Sequence, residues 1–210
     1  MIGKNGCDKC RRTGTKLFLK GDRCNSPNCA MVKKPYAPGQ KAKRRKPPLS
    51  EYGKELIEKQ KLRFWYNLQE KQFSKYVRSI IKKRKEKGSA GDHLIKKLES
   101  RLDNMCFRAG FSNSRAQAKQ MVNHGFFYVN GRPVDIPSYE TKTGDVISVR
   151  PGKMKKKAFE DWSSRIKNYT PPAWISLEKK KMEAKITGEV IFDDVNPPVE
   201  ISSVFEFYSR

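Results

Sequence analysis

The sequence predicts an α+β protein: a metal-bound basic N-terminal segment, a helical domain, and an inserted small α/β domain with antiparallel strands. Three observations carry this expectation. Cys7, Cys10, Cys24 and Cys29 stand in a Cys-x2-Cys-x13-Cys-x4-Cys pattern near the start. Two stretches with apolar residues at helical spacing follow between Ser50 and Lys87. Beyond residue 92 two more helix patterns lead to short β-rich runs separated by Asn130-Gly131, the strongest short hairpin signal. A chain of 210 residues has room for one large domain or two small ones.

Charge narrows the class of partner. Lys and Arg outnumber Asp and Glu by 46 to 22, a formal charge of +24, which exceeds ordinary solubility tuning and points to a polyanion. An anionic membrane surface would need an amphipathic anchoring helix or a lipid site, and neither is evident. No apolar run approaches 18 residues, so no membrane-spanning helix is expected. The first residues lack a signal-peptide core, so the expected location is the cytoplasm, or an organelle if a transit peptide has been removed.

The four cysteines form two thiol pairs around a loop, the ligand set of a structural zinc site. A four-iron cluster takes the same ligands and is the lesser alternative. Two disulfides are disfavoured in a reducing compartment. All four ligand positions are filled, so the site has no place for a catalytic water. Residues 1–48 carry 14 Lys/Arg and only two acids, and their main apolar cluster is Leu17, Phe18 and Leu19. Such a segment needs the metal to fold. Pro35, Pro38 and Gly39 then open an extended basic arm that includes Lys41, Lys43, Arg44, Arg45 and Lys46.

Ser50 caps a helix that begins at about Glu51 and stops near Asn67. A second runs from about Gln69 into the basic stretch ending at Lys87. Leu56, Leu62, Trp65, Tyr66, Phe73, Tyr76, Val77 and Ile80 are the expected core of this bundle. Gly88-Ser89-Ala90-Gly91 reads as a linker. Asp92 is then expected to cap one helix with the apolar face Leu94, Ile95, Leu98, Leu102, Met105, Cys106 and Ala109, ended by Gly110. Ser114 caps the next, with Gln117 completing a capping box, and Gly125 ends it. Phe126 to Val129 and Val146 to Val149 are the expected strands. Trp162, Ile166 and Tyr169 suggest a short helix stopped by Pro171-Pro172. Trp174, Ile175 and Leu177 then dock on something apolar. The last 25 residues are acidic, with Glu189, Asp193, Asp194, Glu200 and Glu206 against Arg210. The expected partition is 1–48, 49–92 (completed by C-terminal residues), 93–158 and 159–210.

No catalytic constellation can be assembled. His93 and His124 are the only histidines, Asp103 and Asp135 are isolated, and no phosphate-cradling glycine loop appears. Cys106 lies on an apolar face. The chain is therefore expected to be no enzyme and to take no small-molecule substrate.

Several motifs resemble one family. Arg101 to Asn104 (RLDN), Ser114, Arg115, Ala116 and Ala118, His124-Gly125, Val129 to Gly131, and Val134 to Tyr139 (VDIPSY) are similar to the small RNA-binding domain of bacterial small-subunit ribosomal protein number four. That domain is shared with some pseudouridine synthases, tyrosyl-tRNA synthetases and a ribosome-rescue heat-shock protein. GTKLFLKGDRC, PYAPGQ, LSEYGKELIEKQKLRFWY, EKQF and the final EFYSR extend the resemblance along the whole chain, while IFDDVN and ISSVF depart from it. The resemblance implies a primary binder of small-subunit (16S-type) rRNA that nucleates assembly by clamping a 5′-domain helix junction through shape and phosphates. It implies small-subunit protein number five and mRNA near its point of entry as neighbours, and a role in translational accuracy. It also agrees with a zinc-type variant, since some members carry four cysteines here.

The expected rRNA contacts are the arm lysines and arginines named above, with Arg108, Ser112, Asn113, Ser114, Arg115, Lys119, His124, Asn130, Arg132 and Lys142. Ser112 to Ser114 enter because the amides of a helix start attract phosphate. The alternatives are an RNA-modification or ribosome-rescue factor with the same small domain, and a zinc-containing DNA-binding regulator.

Overall fold

The computed structural model describes residues 6–39, 48–82, 89–156, 159–160, 162–167 and 169–210. In chain order, its first helices are α1 (Gly6–Thr13), α2 (Asp22–Asn25), α3 (Ala30–Lys33), α4 (Glu51–Trp65) and α5 (Glu70–Lys82). Helices α6 (Ala90–Glu99), α7 (Leu102–Arg108) and α8 (Arg115–Asn123) lead into strands β1 (Phe127–Val129), β2 (Arg132–Pro133) and β3 (Val146–Val149). Then come α9 (Pro151–Met154), α10 (Trp162–Lys167), β4 (Ile175–Glu178), β5 (Glu183–Ile186), α11 (Phe192–Val195) and α12 (Ile201–Ser209). This mixture of helices and one antiparallel sheet is α+β.

The chain divides into two compact units, Met1–Leu94 with Asn196–Arg210, and Ile95–Val195. The segment 159–210, expected as a C-terminal helix and tail packing back on the body, is divided between the two units. Its first part completes the second unit and its last residues belong to the first.

In the first unit, Ser50 Oγ accepts from the Gly53 amide at 3.2 Å, as the N-cap chemistry requires. Helix α4 ends at Trp65, and Asn67 two residues beyond has a φ of 53°, which suits asparagine in the left-handed region. Phe73, Val77 and Ile80 turn inward from α5. Leu56 and Tyr76, expected in the core, are only half-buried, whereas Glu55 and Lys59 are buried. The reason is α12, which lies against α4 and α5 and brings its own polar partners. Arg210 Nη2 meets Glu55 Oε1 at 2.6 Å. Lys59 Nζ donates to Glu70 Oε1 at 2.9 Å, and the Tyr208 hydroxyl donates to the same oxygen at 2.6 Å. Burial together with the Glu70 carboxylate raises the Tyr208 phenol well above its ordinary value.

Ser89 caps α6 through the Gly91 amide, 3.3 Å away, so the expected linker is already turning into helix and Asp92 sits inside it. The single helix expected from Asp92 to Ala109 is broken at Ser100–Arg101. Arg101 is extended (φ −66°, ψ 138°) and forms a β-bridge with Glu140. The Leu102 and Asp103 amides donate to the carbonyls of Tyr139 and Pro137, and Thr141 donates twice to the Ser100 carbonyl. A loop forty residues downstream thus supplies the hydrogen bonds that a continuous helix would have made.

In the second unit the Ser114–Gln117 box forms with one change. Ser114 Oγ accepts from the Gln117 amide at 3.3 Å, but Gln117 Oε1 reaches back to the Asn113 amide rather than that of Ser114. Asn130 and Gly131 both have positive φ (50° and 76°), which matches a twisted two-residue hairpin between β1 and β2. The sheet has the order β2-β1-β3-β5-β4, with each neighbouring pair antiparallel. The expected domain 93–158 therefore lacks two of the sheet's strands, which come from 175–186.

Helix α10 closes the end of α7. Trp162 Nε1 donates to the Gly110 carbonyl at 3.2 Å, and the Tyr169 hydroxyl donates to that of Arg108 at 2.7 Å. Gly110 has φ 78°, and a Cβ there would lie 2.9 Å from Ile166 Cδ1 and from Tyr169 Cδ1. Gly110→Ala is expected to cost about 1–3 kcal/mol from positive φ and overpacking, read as a lower urea midpoint of the full chain. A midpoint equal to that of the parent would mean that α10 yields without cost.

Candidate nucleic-acid interface

Glu99, wholly buried, lies at the end of α6 among three polar side chains. Arg108 donates to both its oxygens, Nε at 3.0 Å and Nη2 at 2.8 Å. Asn104 Nδ2 donates to Oε2, and Arg115 Nη2 stands 3.6 Å from Oε1. Arg115 Nε also donates to Asn104 Oδ1 at 2.7 Å, and its guanidinium lies over the Phe107 ring. Beside this cluster Arg101 grips Asp103 through two hydrogen bonds, both residues being buried. Arg108 and Arg115 were expected to face a ligand. Their charged ends instead join α6, α7 and α8, and their side chains keep only 17% and 10% exposure.

The start of α8 is similarly committed. Ser112 is buried and its hydroxyl donates to the Ser114 carbonyl at 3.2 Å. The Asn113 amide is taken by Gln117, and Asn113 Oδ1 accepts from Arg165. Asn130 Oδ1 accepts from the Val146 amide and its Nδ2 donates to Asp145 Oδ1, so this side chain builds the turn. The remaining residues are outward: His124, Arg132 and Lys142 are exposed and Lys119 is half-buried. Lys41, Lys43, Arg44, Arg45 and Lys46 lie outside the described residues.

Glu99, Asn104 and Arg165 were missed as parts of this region. The available signal was the charged and amide residues of Glu99 and Arg101 to Asn104 interrupting an otherwise apolar helix face. Such residues are buried only when paired.

The four N-terminal cysteines line one small cavity with Gly6, Leu19, Lys20 and Met31. All five cysteines of the chain are free thiols. The Lys20 amide donates to Cys24 Sγ at 3.3 Å, and the Leu17 amide likewise serves Cys10. Burial pushes the Cys10 and Cys24 thiols up. Among the described residues, no group of three or more cysteine, histidine or carboxylate side chains is drawn into a ready-made metal cage. The donor chemistry nevertheless fits a thiophilic ion: four sulfurs around one cavity, with backbone amides aimed at two of them.

The ribosomal protein S4/S9 N-terminal domain family matches residues 4–99, and the S4 domain family matches residues 100–147. The chain is 44% identical to small ribosomal subunit protein uS4 of Pelotomaculum thermopropionicum, over 97% of this chain and 96% of the relative. It is 45% identical to uS4A of Clostridium novyi and 43% identical to uS4 of Halothermothrix orenii, with the same coverage. Identity of this extent through both units shows that the chain belongs to the uS4 family of small ribosomal subunit proteins.

Proposed function

We propose that the chain is a structural, non-catalytic constituent of the small ribosomal subunit that binds its rRNA. The observation that carries this is family membership along nearly the whole chain, joined to a charge of +24. The contact is one of position and shape, in which cations neutralise phosphates without reading bases. Within the second unit the weight of that contact falls on Lys119, His124, Arg132 and Lys142. Arg108 and Arg115 shape the surface from behind. The arm from Lys41 to Lys46 would extend the contact.

The finer proposals are supported by the family resemblance alone. They are early action in assembly at a 5′-domain helix junction, small-subunit protein number five and incoming mRNA as neighbours, an influence on accuracy, and a ribosome-bound location. A structural zinc held by Cys7, Cys10, Cys24 and Cys29 is proposed from the shared cavity and the sulfur donor set. The ion would crosslink α1, α2 and the start of α3 and supply no chemistry beyond that. An iron–sulfur cluster is the second reading of the same ligands.

The test compares a 5′-domain rRNA fragment, an unrelated structured RNA and duplex DNA of equal length across a salt series. Tighter rRNA binding that outlasts both controls is the expected result. Equal affinity for all three, lost together with salt, overturns the reading. Replacing Lys119, Arg132 and Lys142 with Gln should flatten the salt slope by about 2–3, at roughly 0.7–0.9 per phosphate contact. An unchanged slope would remove these residues from the interface.

A further inference from the structure

We propose that the four-cysteine knot is a redox latch, in which a two-electron oxidant of the peroxide class links Cys7 to Cys10 and so frees the segment from Gly6 to Tyr36. The inference rests on the reading that the four sulfurs hold zinc, and concerns what these thiols do when an oxidant reaches them. Cys7, Cys10, Cys24 and Cys29 line one cavity, but they are not equivalent. Cys10, Cys24 and Cys29 are buried, whereas Cys7 is half-buried and gives the group its access to solvent. The fifth thiol, Cys106, is wholly buried in the other unit.

Cys7 and Cys10 share helix α1, one turn apart. With a rise of 1.5 Å and a radius of about 2.3 Å, residues three apart on a helix place their Cα atoms about 5 Å from each other, inside the range that a disulfide spans. The pair can therefore close with only a small adjustment of α1. Cys24 lies in α2 and Cys29 is the N-cap of α3, so the second pair spans two elements.

A thiolate, not a thiol, attacks a peroxide, and ligation keeps the sulfurs deprotonated. The Cys7 sulfur attacks one peroxide oxygen, the O–O bond breaks and hydroxide leaves, so Cys7 becomes a sulfenic acid. The Cys10 thiolate then attacks the Cys7 sulfur, the S–S bond forms and a second hydroxide leaves. The two sulfurs together give up two electrons and the peroxide takes them. Cys24 and Cys29, left as half of a tetrahedral ligand set, release the ion and take up protons.

The new bond does not replace the crosslink that is lost. It closes a loop of four residues inside one helix, and a disulfide restrains the unfolded chain less the shorter its loop. It ties α1 to neither α2 nor α3. Leu17 and Leu19 are the large apolar side chains that the segment buries, too few to hold three short helices. Oxidation at one half-exposed sulfur is thus converted into loss of order in a basic segment.

The test loads the full chain with zinc, removes the excess and titrates with hydrogen peroxide. A colorimetric zinc chelator reads release, peptide mass mapping reads the linkage and hydrogen exchange reads order. One zinc is expected to be lost per peroxide consumed, with Cys7 linked to Cys10 and Cys106 still reduced. Amide protection is expected to vanish from residues 6–36 while α4 and α5 keep theirs, and to return with dithiothreitol and zinc. Zinc retained under excess peroxide, a disulfide that forms first between Cys24 and Cys29, or a Cys7 carried to sulfinic acid without a partner overturns the proposal and leaves the zinc reading standing. A reduced chain that takes up no zinc overturns the zinc reading, and the latch with it.

Discussion

Glu99→Ala is expected to destabilise the second unit by about 3–5 kcal/mol, the usual loss when one partner of a buried ion pair is removed. The carboxylate is wholly buried and receives Arg108, Arg115 and Asn104 together. Without it two guanidiniums with little exposure face each other across an empty site, and the Asn104 amide loses its acceptor. Like charges and a desolvated donor then add to the cavity cost. Denaturant unfolding of the full chain measures the effect. A second variant sharpens the attribution: Glu99→Leu with Arg108→Leu removes both charges and should recover part of the loss. A change below about 1 kcal/mol in Glu99→Ala would show that water reaches the guanidiniums and that the cluster does not hold α6, α7 and α8 together.

The same cluster explains where sequence reasoning succeeds and where it stops. Ser50, Ser114 with Gln117, and Asn130-Gly131 act within four residues, and each does in the structure what its chemistry predicts, apart from the shift of the box to Asn113. Arg115 and Lys119 do share a helix face. Periodicity gives a side chain's direction from the axis, however, and not what stands behind it. Glu99 and Asn104 come from other helices, so the turning of Arg115 inward is a tertiary fact.

The break between α6 and α7 has the same origin. Leu98, Leu102 and Met105 keep helical spacing across it, and no Gly or Pro marks it. Its cause is the loop from Pro137 to Thr141, which offers carbonyls and a hydroxyl to Ser100, Leu102 and Asp103. Strands β4 and β5 were illegible for another reason. Each is only four residues long, and the turn between them contains no Gly or Asn. Met182 takes the left-handed position with φ 54°, where sequence offers no warning. Buried Glu55 and Lys59 are legible only once α12, some 140 residues on, is known to return with Tyr208 and Arg210.

Removing the proposed zinc, or substituting Cys24→Ala, is expected to unfold the segment from Gly6 to Tyr36 while helices α4 and α5 persist. That segment buries Leu17 and Leu19 and little else of size beyond its cysteines. Three helices of eight, four and four residues cannot stand on their own propensity. A structural zinc contributes about 10–16 kcal/mol of apparent binding free energy at neutral pH, far more than this small cluster can replace. The thiols also set the pH dependence. Burial holds Cys10 and Cys24 above the ordinary thiol value, so without an ion both carry protons at neutral pH. Metal uptake must release those protons, and affinity therefore falls as pH falls. Zinc titration of the chelator-treated full chain should show one equivalent bound, proton release, and return of amide protection in residues 6–36 alone. Visible absorbance with bound iron would assign the cluster instead. Full amide protection in chelator, with no metal bound, would mean that the cavity is closed by its apolar neighbours and that the four thiols are ordinary core residues.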